Sequence, residues 1–272
     1  MNENRRPQRD PRPRRADRFA DRAPVEEVEG QLEGRNALQE ALKSGRTIDK
    51  IFIASGDVDR SLQRLAAQAQ EAGAVVVPVD RRKLDAMSTT RAHQGVIALV
   101  AAHTYCTIDD ILEEAANRGE TPLIVVCDEL SDPHNLGAIL RSAECAGAHG
   151  VIIPKRRSVG LTATVAKASA GAIEYMKVAR VTNISAAIAE LKEKGVWVFG
   201  TAAEGSIPMY KADLKGPAAI VIGNEGDGIS QLVRKNCDVM VNIPMQGRIS
   251  SLNASAAASI LLYEAVRQRL GD

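Results

Sequence analysis

Three polar clusters hold the residue types in this chain that could do chemistry. The first is Asn135-Leu136-Gly137-Ala138-Ile139-Leu140-Arg141, just after an apolar run that ends in Asp128-Glu129. The second is Gly223-Asn224-Glu225-Gly226-Asp227-Gly228, directly after the apolar stretch 219–222. The third is Ile243-Pro244-Met245, a short glycine-containing turn, then Ser251-Leu252-Asn253-Ala254-Ser255. An arginine fork among small apolar neighbours suits one specific acceptor. Glycines let backbone approach a ligand closely. A helix start offers N–H groups to an anion or acceptor. Each cluster sits where a strand hands over to a helix. In an open α/β sheet those junctions gather at the carboxyl edge, where ligands bind, so the clusters point to one site.

Plainer roles compete at each position. Pro133 keeps Asp132 out of the helix, which predicts a helix starting near Asn135, with Asn135 as its cap. Arg141 lies about 600° further round, so the two do not share a face. Arg141 alone could be solvated or acid-paired. Asn224 and Asp227 could simply satisfy a tight turn, a role that suits Glu225 poorly. Either Ser251 or Asn253 could cap the last helix. Gly226-Asp227-Gly228 lacks the third glycine of a dinucleotide fingerprint and no Gly-Lys-Ser/Thr follows, which argues against a nicotinamide oxidoreductase and a P-loop.

The elements that must hold these clusters follow from periodicity. Residues 123–127, 151–153, 175–178, 196–200, 218–223 and 239–243 read as strands with helices between them, such as 183–194 closed by Gly195. Short Val/Ile-rich runs alternating with helices predict a mostly parallel sheet covered on both faces. Ahead of it, residues 30–103 read as a smaller α/β unit. Its predicted helices cover 34–43 and 58–72, and its strands 48–54, 74–79 and 95–100. Residues 104–121, with a helix-like stretch at 108–117, read as a linker that lets the front unit swing. The catalytic-type unit is 122–272.

Composition sets bounds. Net charge is +1 and aromatics are 3%, which excludes a broad stacking platform for nucleic acid. Residues 1–24 hold eight Arg, four acids and four Pro; a tail over 1–29 is expected to be disordered, either solubilising or a loose phosphate-binding arm. No apolar run reaches about 18 residues, so no membrane span is expected. Cys106, Cys127, Cys145 and Cys237 lack CxxC spacing and read as reduced thiols of a cytoplasmic protein, with no metal site.

Together the clusters resemble the motifs of the SpoU (TrmH-type, SPOUT-class) RNA ribose 2′-O-methyltransferases: Asn135-x-Gly137-Ala138-Ile139-x-Arg141, Gly223-Asn224-Glu225-Gly226-x-Gly228, and Ile243-Pro244-Met245 with Ser251-Leu252-Asn253-Ala254-Ser255. The likeness spans 121–268. In the front unit, Gly34-Arg35-Asn36-Ala37-Leu38 and His93-Gln94-Gly95-Val96 look like the substrate-binding module of the same enzymes. The resemblance implies a C-terminal trefoil-knotted domain behind a ribosomal-protein-like module. It also implies S-adenosylmethionine as methyl donor, a homodimer with a composite active site, and a 23S rRNA guanosine as target. A tRNA target, or a non-catalytic RNA-binding or ribosome-assembly protein of this fold, are the alternatives. By carry-over, Gly200, Thr201, Gly223, Ile243, Met245 and Leu252 hold the donor. Asn135, Arg141, Glu225, Ser251 and Asn253 line the reaction centre, and Arg35, Asn36 and Gln94 bind RNA.

Overall fold

The computed structural model describes residues 30–43, 45–56, 59–101, 103–203, 205–224 and 226–271. The expected Arg/Pro-rich tail 1–29 and the candidate Glu225 lie outside the described residues.

The front unit runs β1 (Gln31–Glu33), α1 (Arg35–Lys43), β2 (Ile48–Ala54), α2 (Arg60–Glu71), β3 (Val75–Val79), α3 (Arg81–Met87) and β4 (Val96–Val100). Its sheet has the order β1-β4-β2-β3, with only β2 and β3 parallel. Leu38, Ala41, Leu62, Leu65 and Ala69 from α1 and α2 pack on Ile51, Ile53, Val96 and Ala98 of the sheet. Apolar helical spacing therefore builds this core as expected. Periodicity passes over β1 and α3, which are too short to show a period.

The larger unit runs α4 (Ile108–Arg118), β5 (Leu123–Cys127), α5 (Pro133–Cys145), β6 (Gly150–Pro154), α6 (Ala163–Ala168), β7 (Lys177–Val181), α7 (Ile184–Glu193), β8 (Trp197–Thr201), β9 (Ile207–Pro208), β10 (Ala218–Ile222), α8 (Gln231–Asn236), β11 (Val239–Asn242) and α9 (Ala254–Leu270). All neighbouring strands are parallel, in the order β7-β6-β5-β10-β8-β11-β9. Alternation along β5 decides the layers. Leu123, Val125 and Cys127 face α5, α6 and α9. Ile124 and Val126 face α4, α7 and α8. A five-residue strand with no exposed position needs cover on both sides. β7 begins later than the expected 175–178, because Tyr175 follows a 3-10 turn at Ala172–Glu174 and stays exposed.

The stretch read as a linker is mostly α4. Thr107 caps it by a capping box with Asp110, and Gly119 ends it in the left-handed conformation. Ile108, Ile111 and Ala115 are buried, the first two against the larger sheet. The two units are also tied directly. Arg180 of β7 donates from Nη1 to Asp49 Oδ1 of β2 at 2.5 Å and from Nη2 to the Asp49 carbonyl at 2.7 Å. Tyr105 donates to the same Oδ1 at 2.6 Å and accepts from the Leu161 backbone at 2.8 Å. The Arg180 and Asp49 side chains are each only 7% exposed. A buried pair of this kind resists separation, since either partner alone would be an uncompensated charge. The expected swinging connector is thus a packed helix beside a buried latch.

Candidate active site

The parallel strands of the larger sheet aim their carboxyl ends at one edge, and the chain order reverses between β5 and β10. A crevice is expected at such a switch point. An open cavity of about 860 Å³ lies beside that point, over β10, β8 and β11, walled by the loops after those strands and by the first turns of α9, with no residue of the loop after β5 in its lining. Thr201, Gly223, Ile243, Met245, Ser251 and Leu252 all line it. Gly200 does not. It is buried in β8, where a Cβ would meet the sulfurs of Cys237 and Met240 within 3 Å.

The loop after β10 folds back on itself. Asn224 and Gly228 exchange backbone hydrogen bonds, N to O at 3.1 and 3.2 Å. Asn224 Oδ1 accepts from the backbone N–H groups of Gly226 and Asp227 at 2.9 and 2.7 Å. Asn224 is therefore the turn-satisfying residue. A Cβ on Gly223 would sit 2.0 Å from the Gly228 carbonyl carbon, so no side chain fits there. Buried Asp128, at the end of β5, accepts from Ser230 N at 2.7 Å and fixes the far side of the loop. Sequence reading assigns Asp128 no role; its signal is an acid directly after five wholly buried residues.

The helix bearing the first cluster starts earlier than expected. Asp132 is the N-cap, accepting from His134 N, and Pro133 occupies the first helical position. Proline suits that position because its missing N–H would be unpaired anyway and its φ is preset. Asn135 is therefore not the cap but lies within the first turn, buried, with Oδ1 accepting from Asn253 Nδ2 at 2.8 Å. Asn253, rather than Ser251, caps α9: its Oδ1 accepts from Ser255 N at 2.9 Å and Ser255 Oγ at 2.6 Å. One asparagine thus closes α9 and joins it to α5, pairing residues 118 positions apart. Gly137 permits the next contact, because a Cβ there would lie 2.4 Å from Ala168 Cβ of α6.

Arg141 is not brought to this cavity. It is exposed on α5, outside the lining, and its side chain makes no hydrogen bond or ion pair among the described residues. The specific partner expected for it does not lie within the described chain. Arg234 and Arg248 do line the cavity, with Asp227 opposite in sign. Cys127 sits under the edge, wholly buried; burial, and then Asp128, push its thiol up to about 12, so it is inert.

Away from this edge, Arg35 and Gln94 meet in the front unit. Arg35 N donates to Gln94 Oε1 at 3.3 Å and Arg35 Nε to the Gln94 carbonyl at 3.2 Å. Arg35 also pairs with Asp59 at 2.7 Å. Asn36 is exposed beside them. The loop carrying Gln94 hangs on Glu33, which accepts from Gln31, Ser88, Thr89 N, Thr89 Oγ1, Thr90 N and Thr90 Oγ1. Partial burial alone would raise this carboxyl, but the donors of Ser88, Thr90, Thr89 and Gln31 hold it at about 2.

Comparison with known proteins agrees with this two-part layout. The profile of the SpoU rRNA Methylase family matches residues 122–263, and that of RNA 2′-O ribose methyltransferase substrate binding matches residues 31–106. The chain is 48% identical over 236 residues to a Bacillus subtilis protein named for the TrmH family of tRNA/rRNA methyltransferases, covering 87% of this chain and 94% of that one. It is similar in structure to the SpoU methyltransferase AviRb of Streptomyces viridochromogenes, solved with AdoMet: TM-score 0.57, 26% identity, 89% of this chain and 91% of that one. An AdoMet-bound rRNA methyltransferase of Sinorhizobium meliloti is similar at TM-score 0.55 and 26% identity, over 89% of this chain and 88% of that one.

Proposed function

From the premise that the chain belongs to the SpoU rRNA methylase family, we propose that it is an enzyme that transfers a methyl group from S-adenosylmethionine to a ribose 2′-hydroxyl of RNA, with a guanosine of 23S rRNA as target. The observation that carries this reading is the meeting of the second and third clusters at one cavity, with the first cluster tied to its rim through the Asn253–Asn135 hydrogen bond. The cavity fits such a donor. Its size is that of a small-molecule site. Ile222, Ile243, Leu252 and Leu261 offer apolar wall for a flat base, and Gly223 offers bare backbone.

When bound, the donor supplies an electrophilic methyl on a sulfonium. The chain's task is alignment of the hydroxyl with that methyl, and exclusion of water. Asn135 and Asn253 hold each other's amides in one orientation, which fixes the rim of the cavity against α5. Arginine stays protonated and cannot take the hydroxyl proton; Arg141 instead orients the hydroxyl or its phosphate and stabilises the forming alkoxide. Because Arg141 is exposed and outside the cavity lining, this role asks for a homodimer in which one copy's Arg141 serves the other's cavity. Exposed Tyr263 on the neighbouring α9 is consistent with a surface that a second copy covers. A trefoil knot in this unit is what membership of the family implies and does not follow from the strand order. A cytoplasmic site of action accords with an RNA substrate, and among the described residues no helix is long and apolar enough to cross a membrane.

Relatives are named for tRNA as well as rRNA, so tRNA is the second substrate reading. The test is transfer of labelled methyl from S-adenosylmethionine to rRNA, ribosomal particles and tRNA from cells lacking the gene, followed by mapping of ribose methylation. A single 23S guanosine is expected. Transfer to a tRNA position alone would replace the target, and no transfer to any RNA would overturn the reading. Calorimetry should show heat with S-adenosylmethionine and none with NAD.

A further inference from the structure

Between the two units lies a basic loop that the proposed mechanism does not use. β6 ends at Pro154, and Lys155, Arg156 and Arg157 follow at the carboxyl edge of the sheet. The only ion pair they make among the described residues is Arg157 with Glu129 at 3.2 Å. Even there the Arg157 side chain stays 79% exposed. A run of charges is most often a solvated face, but this one is braced on both sides. Ser158 Oγ and Val159 N both donate to the Leu130 carbonyl, at 2.8 and 2.9 Å, in the turn that leads into α5. Arg157 and Glu129 both have left-handed backbones, at φ 56 and 59, a conformation side chains rarely adopt without support. At the other end the loop meets the front unit. A Cβ on Gly160 would lie 2.4 Å from Asp49 Oδ2, and the Lys155 ammonium reaches the turn at Gly73 after α2.

That turn closes the far end of α2, whose near end holds Asp59, the partner of Arg35. A 12-residue helix spans about 18 Å. The basic loop therefore joins the far end of α2, about a helix length from the Arg35–Asp59 pair, to the turn that leads into α5. We propose that Lys155, Arg156 and Arg157 form a phosphate-binding strip that carries the RNA backbone across the junction from the front unit to the transfer site. The occupant follows from charge: three cations with one ion pair among the described residues suit a polyanion, and RNA is the polyanion that the proposed function supplies. The inference rests on that reading. The strip binds backbone, so it sets affinity and register and leaves the choice of nucleotide to other residues.

The test is the double charge reversal Lys155→Glu with Arg156→Glu in the full chain. RNA affinity at low salt should fall on the order of tenfold or more, and the slope of log affinity against log salt should shrink by about one for each phosphate no longer neutralised. KM for RNA should rise while kcat at saturating RNA, S-adenosylmethionine affinity and the modified nucleotide stay as in the parent. Lys215→Glu, near the opposite edge of the sheet, should bind RNA as the parent does. Parental affinity and slope in the double reversal would overturn the proposal. If the reversal lowers the melting temperature, Lys155→Gln with Arg156→Gln decides: a reduced slope at parental melting supports the strip, and an unchanged slope overturns it. Should the parent protein itself bind and methylate no RNA, the functional reading fails instead.

Discussion

Arg141 and Asn253 divide the work at the level of single residues. Asn253 is tied into the fold at both ends of its amide: it caps α9 and pairs with buried Asn135. Asn253→Ala should therefore lose about 1 kcal/mol of stability, the usual worth of a cap, together with most methyl transfer; thermal melting and a transfer assay check both. Arg141 has no partner to lose within the described chain. Arg141→Ala should leave melting and S-adenosylmethionine binding unchanged while transfer to RNA falls by roughly 10²–10³. Arg141→Lys should fail likewise, because a point charge does not replace a planar fork. Normal transfer by the Ala variant would remove Arg141 from the reaction.

At the scale of elements, the loop between α3 and β4 depends on a single carboxylate. Glu33 accepts five hydrogen bonds from that loop and one from Gln31, and sits at about 2 against an ordinary 4.5. A carboxyl whose folded pKa is depressed stabilises the native state above its unfolded value and loses that contribution as pH falls toward the folded one. The front unit should thus weaken between about pH 4.5 and pH 2. Glu33→Gln should flatten that dependence and free the segment holding Gln94. Amide exchange across 88–95, with melting as a function of pH, reads both effects. An unchanged pH profile in the Gln variant would show that Glu33 does not govern the loop.

For the molecule as a whole, the decisive contact is the latch of Asp49, Tyr105 and Arg180. Burial raises the Asp49 carboxyl despite the pull of Arg180, and Asp49 Oδ2 has no hydrogen-bond partner among the described residues. Such a group tolerates the loss of its cation poorly. Arg180→Met should cost about 3–5 kcal/mol at the junction and release the front unit, visible as a larger radius in small-angle scattering and faster proteolysis near Tyr105. S-adenosylmethionine binding should persist, since no latch residue lines the cavity. A parental scattering profile would mean that helix α4 alone holds the units together.

Local sequence was enough to place most strands of both units, the helices with clear apolar spacing, and the three clusters at strand-to-helix handovers. These depend on periodicity and on residues next to each other, which the chain carries in its own order. Glycine spacing likewise excluded a dinucleotide fingerprint, because the third glycine is missing after Gly228. Tertiary structure decided the rest. Asn135 became a buried partner of Asn253 because Pro133 took the first helical position and left the cap to Asp132. The supposed linker became core because apolar residues of α4 found a sheet face to cover. Asp49 and Arg180 are 131 residues apart, and each alone looks like a surface charge. Nothing in their local sequence marks them as a pair, because burial and pairing belong to the folded contact and not to either residue.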